Sequence, residues 1–258
     1  MSLRKDRINR AFGSASADYA QTAKLQRVTA AELADQIRGL SQRPSPRVLE
    51  IGCGTGFLTA ALRETYADAN WTVTDISAEM LATCRRKLGA LSNIKFIQMD
   101  GEAPTLDGPF DLICANMTFQ WFEDLPGSIA RLVSLLAPGG HIAYTTLAKG
   151  SLAEWREAHT TCGFIQGTPD YPSAKSLNEF WPRELGEGEV NVIEIPRTYA
   201  SALIFARTFK GIGAEIPAVE HQPLSPGALR TVLRHLDEGD KVTITYQVAY
   251  ASYQRALK

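Results

Sequence analysis

The hydrophobic positions near the start of the chain follow a helical repeat. Leu25, Thr29, Leu33 and Ile37 recur every four residues, which places them on one face of a helix. The segment 41–46 then contains prolines, which remove helical hydrogen bonds and clash with the preceding turn. Residues 1–40 are therefore predicted to be helical, with a break before residue 47.

From residue 47 the pattern changes to short apolar runs that alternate with amphipathic stretches. The predicted strands are 47–52, 71–76, 93–100, 110–117 and 141–148. The predicted helices between them are 57–67, 79–88 and 128–136, with a turn at 138–140. Strands that alternate with helices through short connections are typical of a parallel sheet with right-handed crossovers.

After residue 148 this alternation stops. Helical pieces over 151–161 and 174–185 flank a loop at 163–173, and together they resemble an inserted lid. The chain then returns to strands and helices. The expected order is a strand over 189–197, a helix over 200–210, a Gly/Pro-rich loop through 227, a helix over 228–238 and a β-forming strand over 242–254.

These patterns predict an α/β fold: a doubly wound, Rossmann-like, seven-stranded and mostly parallel sheet, with an N-terminal helical segment and an inserted helical lid. Four segments are expected. They are 1–46 as a helical segment that covers the site, 47–148 as the cofactor-binding core, 149–188 as the lid, and 189–258 as the strands and helices that complete the sheet.

The charge balance excludes several kinds of partner. The 258 residues include 27 Lys and Arg against 28 Asp and Glu, a net charge of −1, whereas proteins that bind nucleic-acid phosphates usually carry a basic excess. No apolar run approaches the roughly 18 residues of a membrane span, and the basic N-terminus lacks the apolar core of a secretory signal. We expect no nucleic acid and no membrane as partners, a cytoplasmic location and a monomer.

The cysteines and histidines form no recognisable metal or dithiol motif. Cys53, Cys84, Cys114 and Cys162 are separated by 31, 30 and 48 positions, so no C-x-x-C pair exists. We expect buried, reduced thiols, as in cytosolic proteins, and no metal.

A glycine-rich loop follows the first predicted strand, in the sequence Glu50-Ile-Gly52-Cys-Gly54-Thr-Gly56. Glycines there let the backbone turn tightly and approach a ligand closely. A dinucleotide fingerprint counted from Gly52 requires glycine at position 57, where this chain has Phe57. Glu50 would repel a pyrophosphate and suits a cationic ligand instead. The alternative is that the glycines form a tight turn with a purely structural role and bind no ligand.

A second acid, Asp75, ends the second predicted strand, 19 residues after Gly56. This is the place and spacing for a carboxylate that accepts hydrogen bonds from ribose hydroxyls. The alternative is a helix N-cap, a role for which Ser77 competes.

A third acid, Asp100, ends the third predicted strand and precedes Gly101. Its carboxylate can accept from an adenine amino group, with Met99 and Ile76 on either side of the ring. The alternative is an ordinary turn aspartate before glycine. All three acids fall at or near the carboxyl ends of strands, where open α/β sheets bind ligands.

The glycine loop, Asp75, Asp100 and the run from Cys114 to Trp121 resemble the class I S-adenosylmethionine-dependent methyltransferases over about residues 47–148. The resemblance implies S-adenosyl-L-methionine as cofactor and S-adenosyl-L-homocysteine as product, with the glycine loop on the methionine end. It implies that the backbone of Asn116 contacts the methionine part. The implied cofactor residues are Glu50, Gly52, Gly54, Gly56, Asp75, Ile76, Met99, Asp100, Gly101 and Asn116.

The flanking segments are similar to a narrower family, the malonyl-acyl-carrier-protein O-methyltransferases that open pimelate synthesis for biotin. The similar segments are 10–19, 25–27, 119–125, 145–152 and 209–214, so the likeness covers nearly the whole chain. Phe122 departs from the family pattern, which has a small or polar residue there, and so does the loop from Cys162. This resemblance implies methyl transfer to the free carboxylate of malonyl-acyl-carrier protein or malonyl-CoA.

Two other functions stay open at this point. One is a methyltransferase for a small free acid such as trans-aconitate, a family that shares Phe119-Gln120-Trp121 but lacks the Lys-Gly-Ile-Gly-Ala sequence at 210–214. The other is a module that binds the cofactor without catalysis.

The expected chemistry is undemanding, because a carboxylic acid that titrates near pH ~4 is ionised at neutral pH and needs no general base. Positioning and the exclusion of water should supply most of the rate. Tyr19, Gln120 and Trp121 are the predicted catalytic-pocket residues, with packing in the core as the alternative for the two aromatic residues.

The malonyl carboxylate predicts a cation in the substrate pocket, and the acidic carrier protein predicts a basic docking face. Arg183, Arg207 and Lys210 are the candidates to face the carboxylate, with solvated helix surfaces as the alternative. The docking face is expected at 195–210, which contains no Asp or Glu, or at the basic segment 4–10.

Overall fold

A seven-stranded sheet in the order β3-β2-β1-β4-β5-β7-β6 organises the protein. The computed structural model describes residues 2–17, 19–40, 43–89, 92–212, 223–237 and 241–257. The strands are β1 (Arg47–Ile51), β2 (Asn70–Asp75), β3 (Ile94–Gln98), β4 (Phe110–Asn116), β5 (Leu136–Leu147), β6 (Gly186–Tyr199) and β7 (Val242–Arg255). The first five strands pair in parallel, and β7 runs antiparallel to both β5 and β6. The predicted fold class is confirmed.

Helices cover both faces of this sheet. They are α1 (Leu3–Ala15), α2 (Tyr19–Thr22), α3 (Lys24–Ile37), α4 (Phe57–Leu62), α5 (Ala78–Leu88), α6 (Leu125–Ser134), α7 (Ala153–Thr161), α8 (Ala174–Glu179), α9 (Ala202–Gly211) and α10 (Pro226–Leu236). None of these helices, within the described residues, is long and apolar enough to cross a membrane.

Neighbouring residues of the central strands enter different cores, because side chains alternate across a strand. Val48 and Leu112 belong to the core that also contains Leu33 of α3, whereas Leu49 and Ile113 belong to the opposite core. Burial on both faces explains why these strands read as continuous apolar runs in the sequence.

Several boundaries differ from the sequence prediction. The helix predicted at 57–67 ends at Leu62, and the helical piece predicted at 174–185 ends at Glu179. The helix predicted at 128–136 begins three residues earlier, at Leu125, because the Asp124 carboxylate caps it by accepting from the N–H of Gly127 at 3.0 Å. The turn predicted at 138–140 lies within β5, whose pairing with β4 shifts register there.

The N-terminal helices pack across the carboxyl edge of the sheet. The α1 helix lies against α5, and α3 lies against α4, β4 and β5. The Asn116 side chain at the end of β4 donates to the carbonyl of Gln26 in α3 at 2.9 Å. Some positions that the sequence analysis used lie outside the described residues. They are Asp18, Gly213, Ala214, His221, the stretch 213–222 of the predicted loop and residue 238 at the end of a predicted helix.

Candidate active site

The glycine loop after β1 turns in a backbone conformation that favours glycine. Gly52, Gly54 and Gly56 have φ values of +66°, +53° and +84°. A Cβ on Gly52 would lie 2.4 Å from Cγ2 of Thr118, which itself donates to the Gly52 carbonyl at 3.2 Å. The loop is therefore packed against the segment that follows β4, and there is no room for a side chain at Gly52.

Asp75 ties the glycine loop to the end of β2. One carboxylate oxygen accepts from the N–H of Gly54 at 2.8 Å, and the other accepts from the N–H of Ser77 at 2.9 Å. Ser77, and not Asp75, caps α5, because its hydroxyl accepts from the N–H of Met80. Each Asp75 oxygen keeps a second lone pair, which leaves the carboxylate able to accept from a ligand's hydroxyl groups.

Glu50 lies beneath the loop and is 1% exposed. Its carboxylate accepts a hydrogen bond from the Thr59 hydroxyl at 2.6 Å. Burial raises the pKa of Glu50 to about 7 and the pKa of Asp75 to about 6, against the hydrogen bonds that both carboxylates accept. A cation beside these two buried acids would stabilise their ionised forms.

The glycine loop, Glu50 and Asp75 line a cavity, the first of two, and Asp100, Glu102 and Lys5 of α1 line it as well. The Lys5 ammonium lies 2.5 Å from Asp100 and 2.6 Å from Glu102. Asp100 also accepts from the N–H of Glu102 at 3.0 Å, and Glu102 accepts from the N–H of Asp124 at 2.7 Å. The acid predicted to bind adenine is thus paired with the helix that covers it.

Apolar side chains form the walls around Asp100. Ile76 and Met99 line the same cavity, and Met99 is buried. Phe122, which departs from the family pattern, stacks on Phe119 with ring centroids 4.8 Å apart. A Cβ on Gly101 would lie 2.4 Å from Ile51 and 3.1 Å from Phe122. The aromatic residue at 122 therefore packs directly against this end of the cavity.

The segment after β4 separates the first cavity from a second one of about 610 Å³. Met117 has a φ of +51°, and its N–H is held by both the carbonyl and the hydroxyl of Thr145. Gln120 lines the second cavity and donates to the carbonyl of Met117 at 2.7 Å. The two cavities share five lining residues, namely Phe12, Tyr19, Gln26, Met117 and Trp121.

Tyr19 and Trp121 both lie in this shared wall. Tyr19 is 8% exposed and stacks on Phe57 with ring centroids 6.3 Å apart, and Trp121 makes an edge contact with Phe12 at 5.3 Å. Burial and the charge of Asp75 raise the pKa of the Tyr19 hydroxyl, which therefore remains protonated and able to donate.

The three cations predicted to face a substrate carboxylate do not line either cavity. The exposed Arg183 guanidinium donates to the carbonyls of Asn178 and Gly188. Arg207 and Lys210 are exposed on α9, whereas Ile204, Thr208 and Phe209 of the same helix line the second cavity. That these three cations face a substrate carboxylate therefore stays a prediction, which the lining of the two cavities does not support.

Other residues that line the second cavity were not predicted to belong to the substrate pocket. Lys24, Arg197, Tyr199 and Tyr246 line the second cavity, and of the predicted lid 149–188 only Tyr171 is among the described lining residues. Tyr199 and Tyr246 lie on paired strands, so no local motif connects them. The sequence offers one signal for Arg197, the lack of Asp and Glu in 195–210, but this signal predicts a docking face for the carrier protein.

We predict that the protein releases protons when a cationic ligand binds in the first cavity near pH 6.5. Glu50 and Asp75, with pKa values of about 7 and about 6, are partly protonated there, and a nearby positive charge lowers both pKa values. Calorimetry with S-adenosylmethionine in two buffers of different ionisation enthalpy measures the release, which should decline toward pH 8. Glu50→Gln, which can still accept from Thr59, should reduce it. Heats that are independent of the buffer at pH 6.5 would contradict this assignment.

Comparison with known proteins gives the following matches. A family model described as a methyltransferase domain matches residues 48–140. A malonyl-[acyl-carrier protein] O-methyltransferase of Magnetococcus marinus is 39% identical over 256 residues, 98% of this chain and 94% of that protein. A biotin biosynthesis bifunctional protein of Bordetella avium is 41% identical over 249 residues, 96% of this chain, and the chain spans about half (52%) of that longer relative.

Solved structures share the fold at low sequence identity. One is the plantazolicin methyltransferase BamL in complex with a triazolic desmethylPZN analog and SAH, with a TM-score of 0.58 and 16% identity, over 99% of this chain and 97% of that one. At this identity the similarity concerns the fold of the two chains.

Proposed function

The chain belongs to the malonyl-[acyl-carrier protein] O-methyltransferase family, and we propose that it transfers the methyl group of S-adenosylmethionine to the free carboxylate of malonyl-acyl-carrier protein. The product is the malonyl methyl ester that begins pimeloyl and biotin synthesis. The relative that is 39% identical over 98% of this chain confirms the family resemblance found in the sequence. Two further statements remain predictions, namely that the protein is cytoplasmic, which agrees with its free cysteines, and that it is a monomer.

The observation that carries this proposal is the contact between two cavities of opposite charge. Four acids (Glu50, Asp75, Asp100 and Glu102) and one cation (Lys5) line the first cavity, whereas Lys24 and Arg197 and no described acid line the second. A cationic methyl donor and an anionic acceptor would each meet charges of opposite sign. The shared wall at Tyr19, Met117 and Trp121 is where the two would face each other.

The residues of the first cavity suit S-adenosylmethionine, which supplies a methyl group on a positively charged sulfur. The buried acids Glu50 and Asp75, with their raised pKa values, gain from a cation nearby. The spare lone pairs of Asp75 suit ribose hydroxyls, and the Asp100 carboxylate suits an adenine amino group. The glycine loop lets its backbone come close to the methionine end.

The transfer requires no proton movement. One oxygen of the malonyl carboxylate forms a bond to the methyl carbon as the carbon–sulfur bond breaks, and the bonding pair goes to sulfur. A carboxylate and a sulfonium thus become a neutral ester and a neutral thioether. The protein's contribution is to align the reactants and exclude water, which we assign to Tyr19 and Trp121 at the shared wall and to Gln120 in the second cavity.

The decisive experiment offers labelled S-adenosylmethionine to malonyl-carrier protein, malonyl-CoA, free malonate and trans-aconitate in parallel. We expect methyl ester formation on the malonyl thioesters. Transfer to trans-aconitate alone would favour the alternative of a small-acid methyltransferase. Cofactor binding without transfer to any acceptor would favour a binding module.

We predict that α9 docks the acidic carrier protein. Leu203, Arg207 and Lys210 are exposed along one face of this helix, next to residues that line the second cavity. Reversing both charges, Arg207→Glu with Lys210→Glu, should raise KM for malonyl-carrier protein by about tenfold or more at low salt, with a much smaller effect on malonyl-CoA.

The matched control for docking is the double reversal Arg85→Glu with Lys95→Glu, at exposed positions on α5 and β3. It changes the net charge equally but leaves α9 intact, so it should alter KM for the carrier-bound substrate less. Equal effects of the two double variants, or equal effects on both thioesters, would remove α9 as the docking face.

A further inference from the structure

The second cavity contains positive charge without a compensating acid. Its described lining residues include Lys24 and Arg197 and no Asp or Glu. Lys24 is the exposed first residue of α3, where water screens its charge, whereas Arg197 is half-buried near the end of β6. Arg197 is therefore the stronger electrostatic feature of this cavity.

The Arg197 guanidinium has no hydrogen bond or ion pair with any residue that the structure describes. The strand register explains why it faces the cavity beside a tyrosine. Arg197 pairs with Ile244 of β7, and Tyr246 is the diagonal neighbour on the same face. Tyr199, two residues further along β6, shares this face as well.

The two tyrosine hydroxyls next to Arg197 have one proton to spare. The hydroxyls of Tyr199 and Tyr246 lie 3.2 Å apart, and one hydrogen bond between them uses only one of their two protons. Burial raises the pKa of Tyr246 well above its usual value, so the Tyr246 hydroxyl keeps its proton at neutral pH. The remaining O–H can donate to a third group.

A guanidinium without a partner, a spare hydroxyl donor and the absence of acids together form a site for a carboxylate. We infer that Arg197, assisted by the Tyr199–Tyr246 pair, binds the free carboxylate of the malonyl group and selects malonyl over acetyl thioesters. This inference rests on the proposed function and names the residue that determines its specificity. Arg197 takes the place that the sequence assigned to Arg183, Arg207 and Lys210.

This arrangement also explains how the product would leave. Arg197 holds a carboxylate while one oxygen of that group attacks the methyl carbon. Once the ester has formed, the negative charge is gone, and the guanidinium no longer has an ionic partner. The methyl ester should therefore bind more weakly than the free acid, and product inhibition should be slight.

The test is the affinity of two thioesters for the protein with S-adenosylhomocysteine bound, so that no transfer occurs during the measurement. The wild-type protein should bind malonyl-CoA at least about tenfold more tightly than acetyl-CoA. Arg197→Gln should reduce this ratio to near one by weakening malonyl-CoA alone. Arg197→Lys should restore part of the preference, and Tyr246→Phe should reduce it several-fold.

Lys95→Gln, at an exposed position on the opposite edge strand β3, is the control and should preserve the ratio. Equal weakening of both thioesters by Arg197→Gln would indicate a structural role and overturn the inference, as would a wild-type protein without malonyl preference. The transfer assay is a separate readout. Malonyl-selective binding without methyl transfer would sink the proposed function while leaving the Arg197 assignment supported.

Discussion

Replacing Gly52 by alanine should abolish measurable cofactor binding. The new Cβ would lie 2.4 Å from Cγ2, 2.5 Å from Oγ1 and 3.0 Å from Cβ of Thr118, so no rotation of that short side chain removes the overlap. The φ of +66° adds strain for any residue with a Cβ. Overpacking and strain together cost about 2–5 kcal/mol of folding stability. Cofactor titration and thermal unfolding measure the two effects.

Gly89→Ala is the matched control, because Gly89 has a φ of +78° but no atom within 4 Å of an added Cβ. With a ψ of −174° its backbone is in a region essentially confined to glycine, so the variant should lose about 1–3 kcal/mol of stability from strain and keep its cofactor affinity. Adding Thr118→Ala to Gly52→Ala removes the two shortest contacts and should restore part of the stability. Normal cofactor affinity in Gly52→Ala would show that the loop does not approach the ligand.

Asp75→Ala should weaken cofactor binding by about a thousandfold. The substitution removes the acceptor for the N–H groups of Gly54 and Ser77 and also the proposed acceptor for ribose hydroxyls, so the loop loses its anchor and the ligand its partner. The free energy of unfolding should change less, because removing a buried acid of raised pKa also removes an unfavourable burial. Calorimetry measures the affinity.

Asp111→Ala separates the loss of an acid from the loss of the ligand site. Asp111 is buried like Asp75, accepts from the N–H of Arg47 at 2.8 Å and pairs with Arg43, but it lies at the amino end of β4, away from both cavities. Its variant should lower the unfolding temperature and leave cofactor affinity unchanged. Unaltered affinity in Asp75→Ala would remove the ribose assignment.

The elements of the sheet could be predicted from the sequence because the signals are local. Each central strand is a short apolar run, and each run is followed by a turn and an amphipathic helix, which leaves few arrangements of a parallel sheet open. Glu50, Asp75 and Asp100 could be placed together for the same reason, since the carboxyl ends of parallel strands meet at one edge. The boundaries at Leu62 and Leu125 depended on turns and caps that the periodicity did not resolve.

The sequence by itself determined the fold, the methyltransferase family and the anionic cofactor cavity, because all three depend on residues close together in the chain or repeated at strand ends. Only the tertiary structure decided which cation enters the second cavity. That choice depends on the rotation of α9, which turns Arg207 and Lys210 outward, and on the register of β6 with β7, which sets Arg197 beside Tyr246. Helix rotation and strand register follow from packing between distant segments, so neither is written in the local pattern of the chain.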